Sequence, residues 1–172
     1  NIGYMNTTGY ILAIDPGNIE SAWVLLDCNT LQPLKFAKEE NYAARKNMFD
    51  LIENKQIKHV AIEMVASYGM AVGATVFETC VWIGRFYEIF YQANIPIQFI
   101  FRKDEKLNLC QSMRATDATI TQALVDRFAM NEPNHGKGTK NSPGWFYGFK
   151  KDIWQAYAVG VTFYDLNIAP GA

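Results

Sequence analysis

The sequence predicts an α/β fold: three antiparallel strands in succession, then helices alternating with strands that run parallel to the first. Three observations carry the prediction. Tyr10 to Asp27 (YILAIDPGNIESAWVLLD) reads as strand, tight turn and strand, because Ile11 to Ile14 form a short apolar run of the kind found in a covered sheet and Pro16-Gly17 force a turn. Ile57 to Met64 (IKHVAIEM) repeats that pattern, an apolar run that ends on a carboxylate, Glu63. Between and after these runs lie segments with apolar residues at helical spacing.

Taken in order, the first hairpin is followed by a turn at Cys28-Asn29-Thr30 and a third strand over Pro33 to Lys38, which closes the meander. Ala44, Met48, Leu51 and Ile52 place a helix over Asn41 to Asn54. Strand, helix and strand in that order imply a right-handed crossover, so the Val60 strand lies parallel to an existing one. If its neighbour is the first strand, Asp15 and Glu63 emerge at one edge. Met64 to Gly73 reads as loop, and Ala74 to Ala93 as a long helix. That helix is apolar on so many sides that it is either a central core helix or part of a subunit interface. Ile97 to Phe101 is a fifth strand, closed by Arg102-Lys103. Thr116 caps a helix through Phe128, Asn131 to Gly148 is loop with a mobile basic stretch at Gly136 to Lys140, and Lys150 to Leu166 is a last helix with Asp152 near its first turn.

Composition narrows the class. A chain of 172 residues has room for a real core, and the expectation is one domain over residues 10–168. Asn1 to Tyr4 precede Met5, and residues 1–9 are expected to be disordered or tag-derived. No apolar run approaches the ~20 residues that span a bilayer and no signal peptide pattern opens the chain, which favours the cytoplasm and no membrane partner. Cys28, Cys80 and Cys110 have no CxxC spacing, so buried free thiols are expected rather than disulfides or zinc. The net charge of −1 is uninformative, but residues 102–151 hold nine Lys or Arg against five Asp or Glu. That excess suits a phosphate backbone, and equally an ordinary solvated surface.

The acids are the chemical signal. Asp15 ends a buried strand with no polar transition, and an ionised carboxylate there needs a donor, a cation or a metal ion. Asp-Pro-Gly is also the composition of a plain hairpin turn. Asp152 has two explanations as well, since acids at a helix start are favoured by the helix dipole.

Taken together, IDPG at Ile14 to Gly17, AIE at Ala61 to Glu63 and DxxxAxA at Asp152 to Ala158 resemble the RuvC-type Holliday junction resolvases, most closely phage-encoded members. The resemblance runs from Tyr10 to about Leu166. It implies a ribonuclease H-like fold, a five-stranded mixed sheet with the first three strands antiparallel and helices flanking it. Asp15, Glu63 and Asp152 match the family's catalytic acids and, with Gln155 at the remaining metal position, would hold Mg²⁺ or Mn²⁺, one or two ions per subunit. Gln155 stands where the family has a further acid, so either Asp152 serves alone or a shifted helix lets it take over that role. Ala66 stands where the family has a junction-wedging aromatic, with Tyr68 the nearest substitute. The resemblance also implies a homodimer, placed at the 74–93 helix, that cuts four-way or otherwise branched DNA in phage recombination or packaging, within the host cytoplasm. Lys103, Lys106, Arg114, Lys137, Lys140, Lys150 and Lys151 are the expected phosphate contacts.

Carboxylates suit that chemistry because hard divalent ions prefer oxygen, and two ions ~3.5–4 Å apart can activate water and neutralise a leaving alkoxide. Two other readings stay open at this stage: a non-catalytic branched-DNA binder with a degenerate site, and an actin-like or sugar-kinase-like ATPase half. The second lacks the further Asp-Gly phosphate motif and the chain length it requires.

Overall fold

The computed structural model describes residues 9–171. The expectation for the first residues therefore lies outside the described part, apart from Gly9. Strands β1 (Tyr10–Asp15), β2 (Glu20–Asp27) and β3 (Pro33–Glu40) form the meander, followed by α1 (Asn41–Asn54), β4 (Ile57–Met64), α2 (Ala74–Gln92) and β5 (Ile97–Phe101). Three helices complete the chain: α3 (Arg102–Cys110), α4 (Asp117–Phe128) and α5 (Ile153–Asn167). The sheet order is β3-β2-β1-β4-β5, with β1 antiparallel to β2 and parallel to β4. The crossover therefore lands where the sequence predicts it.

Strand periodicity sorts the core onto two faces. Leu12, Ile14, Trp23, Leu25, Val60 and Ile62 face α1 and α2, meeting Met48, Trp82, Phe86 and Phe90. Ile11, Ala13, Val24, Leu26 and Ala61 face the other way, onto α5 and α4. Each fully buried Leu, Ile, Val or Phe contributes roughly 1.5–3 kcal/mol. Helix α5 is buried on all sides, because the sheet covers one flank while α3, α4 and the 131–149 segment cover the rest. Gly160 permits that fit: a Cβ there would stand 2.8 Å from Leu26 Cδ1 and 3.0 Å from Ala13 Cβ.

Three details depart from expectation. Helix α3 lies in a stretch, 102–115, to which the sequence pattern assigns no element. It starts directly at the strand's end, and Asp104 closes its first turn by accepting from the Phe101 N–H at 3.0 Å. The 131–148 segment is not loose: Gly138 bridges Pro143, the Phe146 N–H donates to Gly136 O at 2.9 Å, and Phe146 and Phe149 are buried against Trp154 and Tyr157. All three cysteines are free, but only Cys28 is buried. Helix α2 is a core helix along one flank and open along the other. Trp82, Ile83, Phe86, Ile89 and Phe90 enter the core, and Phe77, Val81 and Tyr91 are exposed on the opposite flank.

Candidate active site

The β1–β2 turn sets the position of Asp15. Gly17 cannot carry a side chain, since its Cβ would lie 2.3 Å from Glu20 O. The turn is tied to the start of α1 by a buried polar clamp. Ser21 Oγ donates to Asn41 Oδ1 at 2.6 Å, Asn41 Nδ2 donates to Gly17 O at 2.9 Å, and the Gly17 N–H donates to Ser21 Oγ at 3.1 Å. Ser21 and Asn41 are almost fully buried, so satisfying them this way fixes the turn. Asp15 then shares a row across the sheet with Ala22 and Lys38, and Glu63 sits in the neighbouring parallel strand just past the Ile14–Ile62 pair.

The Asp15 and Glu63 carboxyls are in hydrogen-bonding contact, and Asp152 is close enough to act on Asp15 electrostatically. Burial first, then the Glu63 carboxylate and, less strongly, Asp152 hold the Asp15 carboxyl well above the usual carboxylate range, against the pull of Arg102. Asp152 is the N-cap residue of α5, yet its side chain makes no capping bond and pairs with Lys38 Nζ at 2.5 Å. That bond raises the Lys38 ammonium above its ordinary pKa, against the effect of burial. Gln155, one turn on, accepts from Arg102 Nη1.

A fourth acid joins the group, one that sequence reasoning passed over. Glu105, in the first turn of α3, is completely buried, and its carboxyl meets that of Glu63. Arg102 Nη1 donates to its Oε1 at 3.2 Å, and its Oε2 has no hydrogen-bond donor. Burial above all, and then Glu63, push its pKa up to about 10, with Arg102 opposing. In the sequence Glu105 is one charge within Arg102-Lys-Asp-Glu-Lys106. The signal that could have found it is Asp104 three residues after the last strand residue, a capping pattern that starts a helix at the sheet's functional edge.

Fitness for a divalent ion rests on this donor set. Carboxylate oxygens are what Mg²⁺ and Mn²⁺ prefer, and three acids in sequential contact need shared protons or cations to coexist. The orphaned Glu105 Oε2 is a further acceptor without a partner. Among the described residues, no three His, Cys, Asp or Glu side chains converge closely enough to hold an ion as they stand. The group fits in kind, and an ion would have to draw it together.

The other expected residues divide in two. Lys137 and Lys151 line a groove of about 520 Å³ with Asp152, Gln155, Asp117 and His135. Tyr68 is 66% exposed and lines a smaller hollow of about 310 Å³ with Glu63, Ala66 and Arg102, so the nearest substitute for the wedge borders one of the acids. Lys103, Arg114, Lys140 and Lys150 are exposed and Lys106 is partly so, and neither hollow includes them. Among the described residues, none of the seven expected cations pairs with a carboxylate.

No protein-family model matches the chain, and no curated protein is detectably similar to it in sequence. Its strand order and flanking helices define a ribonuclease H-like fold of the kind found in RuvC. Thermus thermophilus RuvC, solved alone and in complex with Holliday junction substrate, superposes with TM-scores of 0.67 and 0.66 at 14% identity, over 91% and 92% of this chain and 95% of that one. The yeast mitochondrial Holliday junction resolvase Ydc2 superposes with a TM-score of 0.54 at 9% identity, over 91% of this chain and 79% of its own.

Proposed function

We propose that this chain is a metal-dependent, structure-selective endonuclease that resolves Holliday junctions or other branched DNA by paired phosphodiester hydrolysis. One observation carries the reading: Asp15 and Glu63, from adjacent parallel strands, press two carboxyls together at one sheet edge, with Asp152 nearby, in a fold shared with junction resolvases. Asp15, Glu63 and Asp152 would hold Mg²⁺ or Mn²⁺, which when bound supplies Lewis-acid polarisation of the scissile phosphate and neutralises the leaving oxygen. Lys137 and Lys151 border the groove beside Asp152 and would orient the phosphate backbone; Tyr68 would stack on an unpaired base at the branch. Lys103, Lys106, Arg114, Lys140 and Lys150 would add contacts that weaken with salt. The proposal includes a homodimer through α2, which would present two sites to matching strands, and a role in phage DNA recombination or packaging in the host cytoplasm.

The test is a labelled immobile four-way junction and plain duplex, with and without Mg²⁺. Wild type is expected to nick the junction at paired positions only with the ion. Asp15→Asn is expected to bind the junction in gel shifts and leave it uncut, and nicking by that variant at the wild-type rate would remove the reading. A second reading, a non-catalytic branched-DNA binder, is favoured by the capture of Asp152 by Lys38 and of Gln155 by Arg102. Full-affinity junction binding by wild type with no cleavage in Mg²⁺ or Mn²⁺ would select it.

A further inference from the structure

We propose that Glu105 is a metal ligand of this site, joining Asp15 and Glu63 and supplying the carboxylate that Gln155 cannot. The inference rests on the metal-dependent reading above and adds a residue to it.

Position comes first. Strand β5 pairs with β4 so that Ile100 lies opposite Glu63, and α3 follows β5 without a connecting loop. The first turn of α3 is thereby held beside the end of β4, and the Glu105 carboxyl meets that of Glu63. Arg102 then locates Glu105 relative to α5. One nitrogen, Nη1, touches both Glu105 Oε1 and Gln155 Oε1, so the acid and the amide are immediate neighbours. A carboxylate has entered from α3 beside the place on α5 where the charge is missing.

Burial supplies the independent observation. Glu105 is 0% exposed, and Oε2 has no donor within reach. Arg102 compensates only Oε1. A buried carboxylate with one oxygen unpaired is costly, and a Gln or Leu of similar volume would cost less if this position only filled space. A cation taken up next to Glu63 would satisfy Oε2 and offset that cost. Asp152, by contrast, is 47% exposed at its side chain and already neutralised by Lys38. Of the acids around Glu63, Glu105 is therefore the one whose burial only a shared proton or a bound ion can complete.

The experiment is Mn²⁺ binding to the full chain without DNA, by calorimetry and by the EPR signal of free Mn²⁺, for wild type, Glu105→Gln, Glu105→Asp and the exposed control Glu88→Gln. Circular dichroism and melting confirm the fold of each. Loss of even a supporting partner of a metal ligand typically weakens binding 10–100-fold, so Glu105→Gln is expected to weaken Mn²⁺ by at least about tenfold. Glu105→Asp should fall in between and Glu88→Gln should match wild type. Should Glu105→Gln fail to fold, Glu105→Asp decides: reduced affinity supports the assignment and unchanged affinity overturns it. Mn²⁺ affinity of Glu105→Gln within about twofold of wild type, well short of that loss, also overturns it, as does a wild type that binds no Mn²⁺. Junction nicking, measured alongside, separates the two ideas. A chain that binds Mn²⁺ through Glu105 yet never cuts keeps this ligand and loses the nuclease. One that cuts normally as Glu105→Gln, with Mn²⁺ affinity intact, keeps the nuclease and loses this ligand.

Discussion

At the scale of single residues, the polar groups that fix the site are as informative as the acids themselves. Tyr157 shows how. Fully buried in α5, it accepts from Trp145 Nε1 at 3.1 Å and donates to Leu31 O at 2.9 Å, so one hydroxyl pins both the 131–149 segment and the turn before β3 to the last helix. Tyr157→Phe leaves an indole N–H and a buried carbonyl without partners, at a cost of roughly 1–3 kcal/mol. At ~2–4 °C per kcal/mol for a chain of this size, calorimetry should show melting several degrees earlier. Asp15 and Glu63 were legible in the sequence because each ends a strand of apolar residues with no polar transition. Glu105 was not, because a carboxylate within a run of charges looks like a solvated face until the fold shows it has no water around it. Lys38 was equally hidden: its link to Asp152 joins residues 114 positions apart, and only the sheet register brings β3 into line with Asp15.

At the scale of elements, strong periodicity decided what could be read. Strands β1, β4 and β5 and helix α1 lie where their apolar patterns put them, and α4 is capped by Thr116, whose Oγ1 accepts from the Thr119 N–H at 3.3 Å. Helix α3 escaped because Glu105 is its only fully buried residue, so no apolar stripe marks it. What holds the outer helices is partly electrostatic. Arg127 of α4 donates to both Asp165 oxygens of α5, at 2.7 and 2.8 Å, and Asn108 of α3 donates to the same carboxylate at 2.7 Å. Burial raises the Asp165 pKa, but these donors outweigh it and leave the pKa below its ordinary value of 3.8. The folded chain therefore binds a proton there less readily than the unfolded one. The stabilisation is present above about pH 4 and is lost as pH falls through the lower folded value. Asp165→Asn should cost about 1 kcal/mol at pH 7, the guanidinium's 40% exposure limiting the figure. Urea titrations of the two proteins should converge as the pH drops below about 4, the ordinary carboxylate range; a gap that widens there would contradict the assignment.

At the scale of the whole molecule, one sheet with helices on both faces places its acids at a single edge and leaves a helix flank uncovered. Phe77, Val81 and Tyr91 on α2 are each at least 60% exposed, on the side away from the core. If that flank joins two copies, Val81→Asp should convert a sedimenting dimer to monomer while leaving Mn²⁺ binding unchanged. Sedimentation of wild type as a monomer at micromolar concentration would remove the dimer. The overall topology was readable before any coordinates because each strand and most helices announce themselves locally. The approach of α3 to α5 was not, since it depends on a guanidinium reaching three elements at once, Glu105 in α3, Asp117 in α4 and Gln155 in α5. The position of β3 at the rim of the sheet has a separate consequence. It opens on Pro33 and carries Lys35, Lys38, Glu39 and Glu40, a combination that discourages a stranger's backbone from zipping onto the open rim. Crowded copies should therefore resist fibrous self-templating, leaving any association to side-chain surfaces.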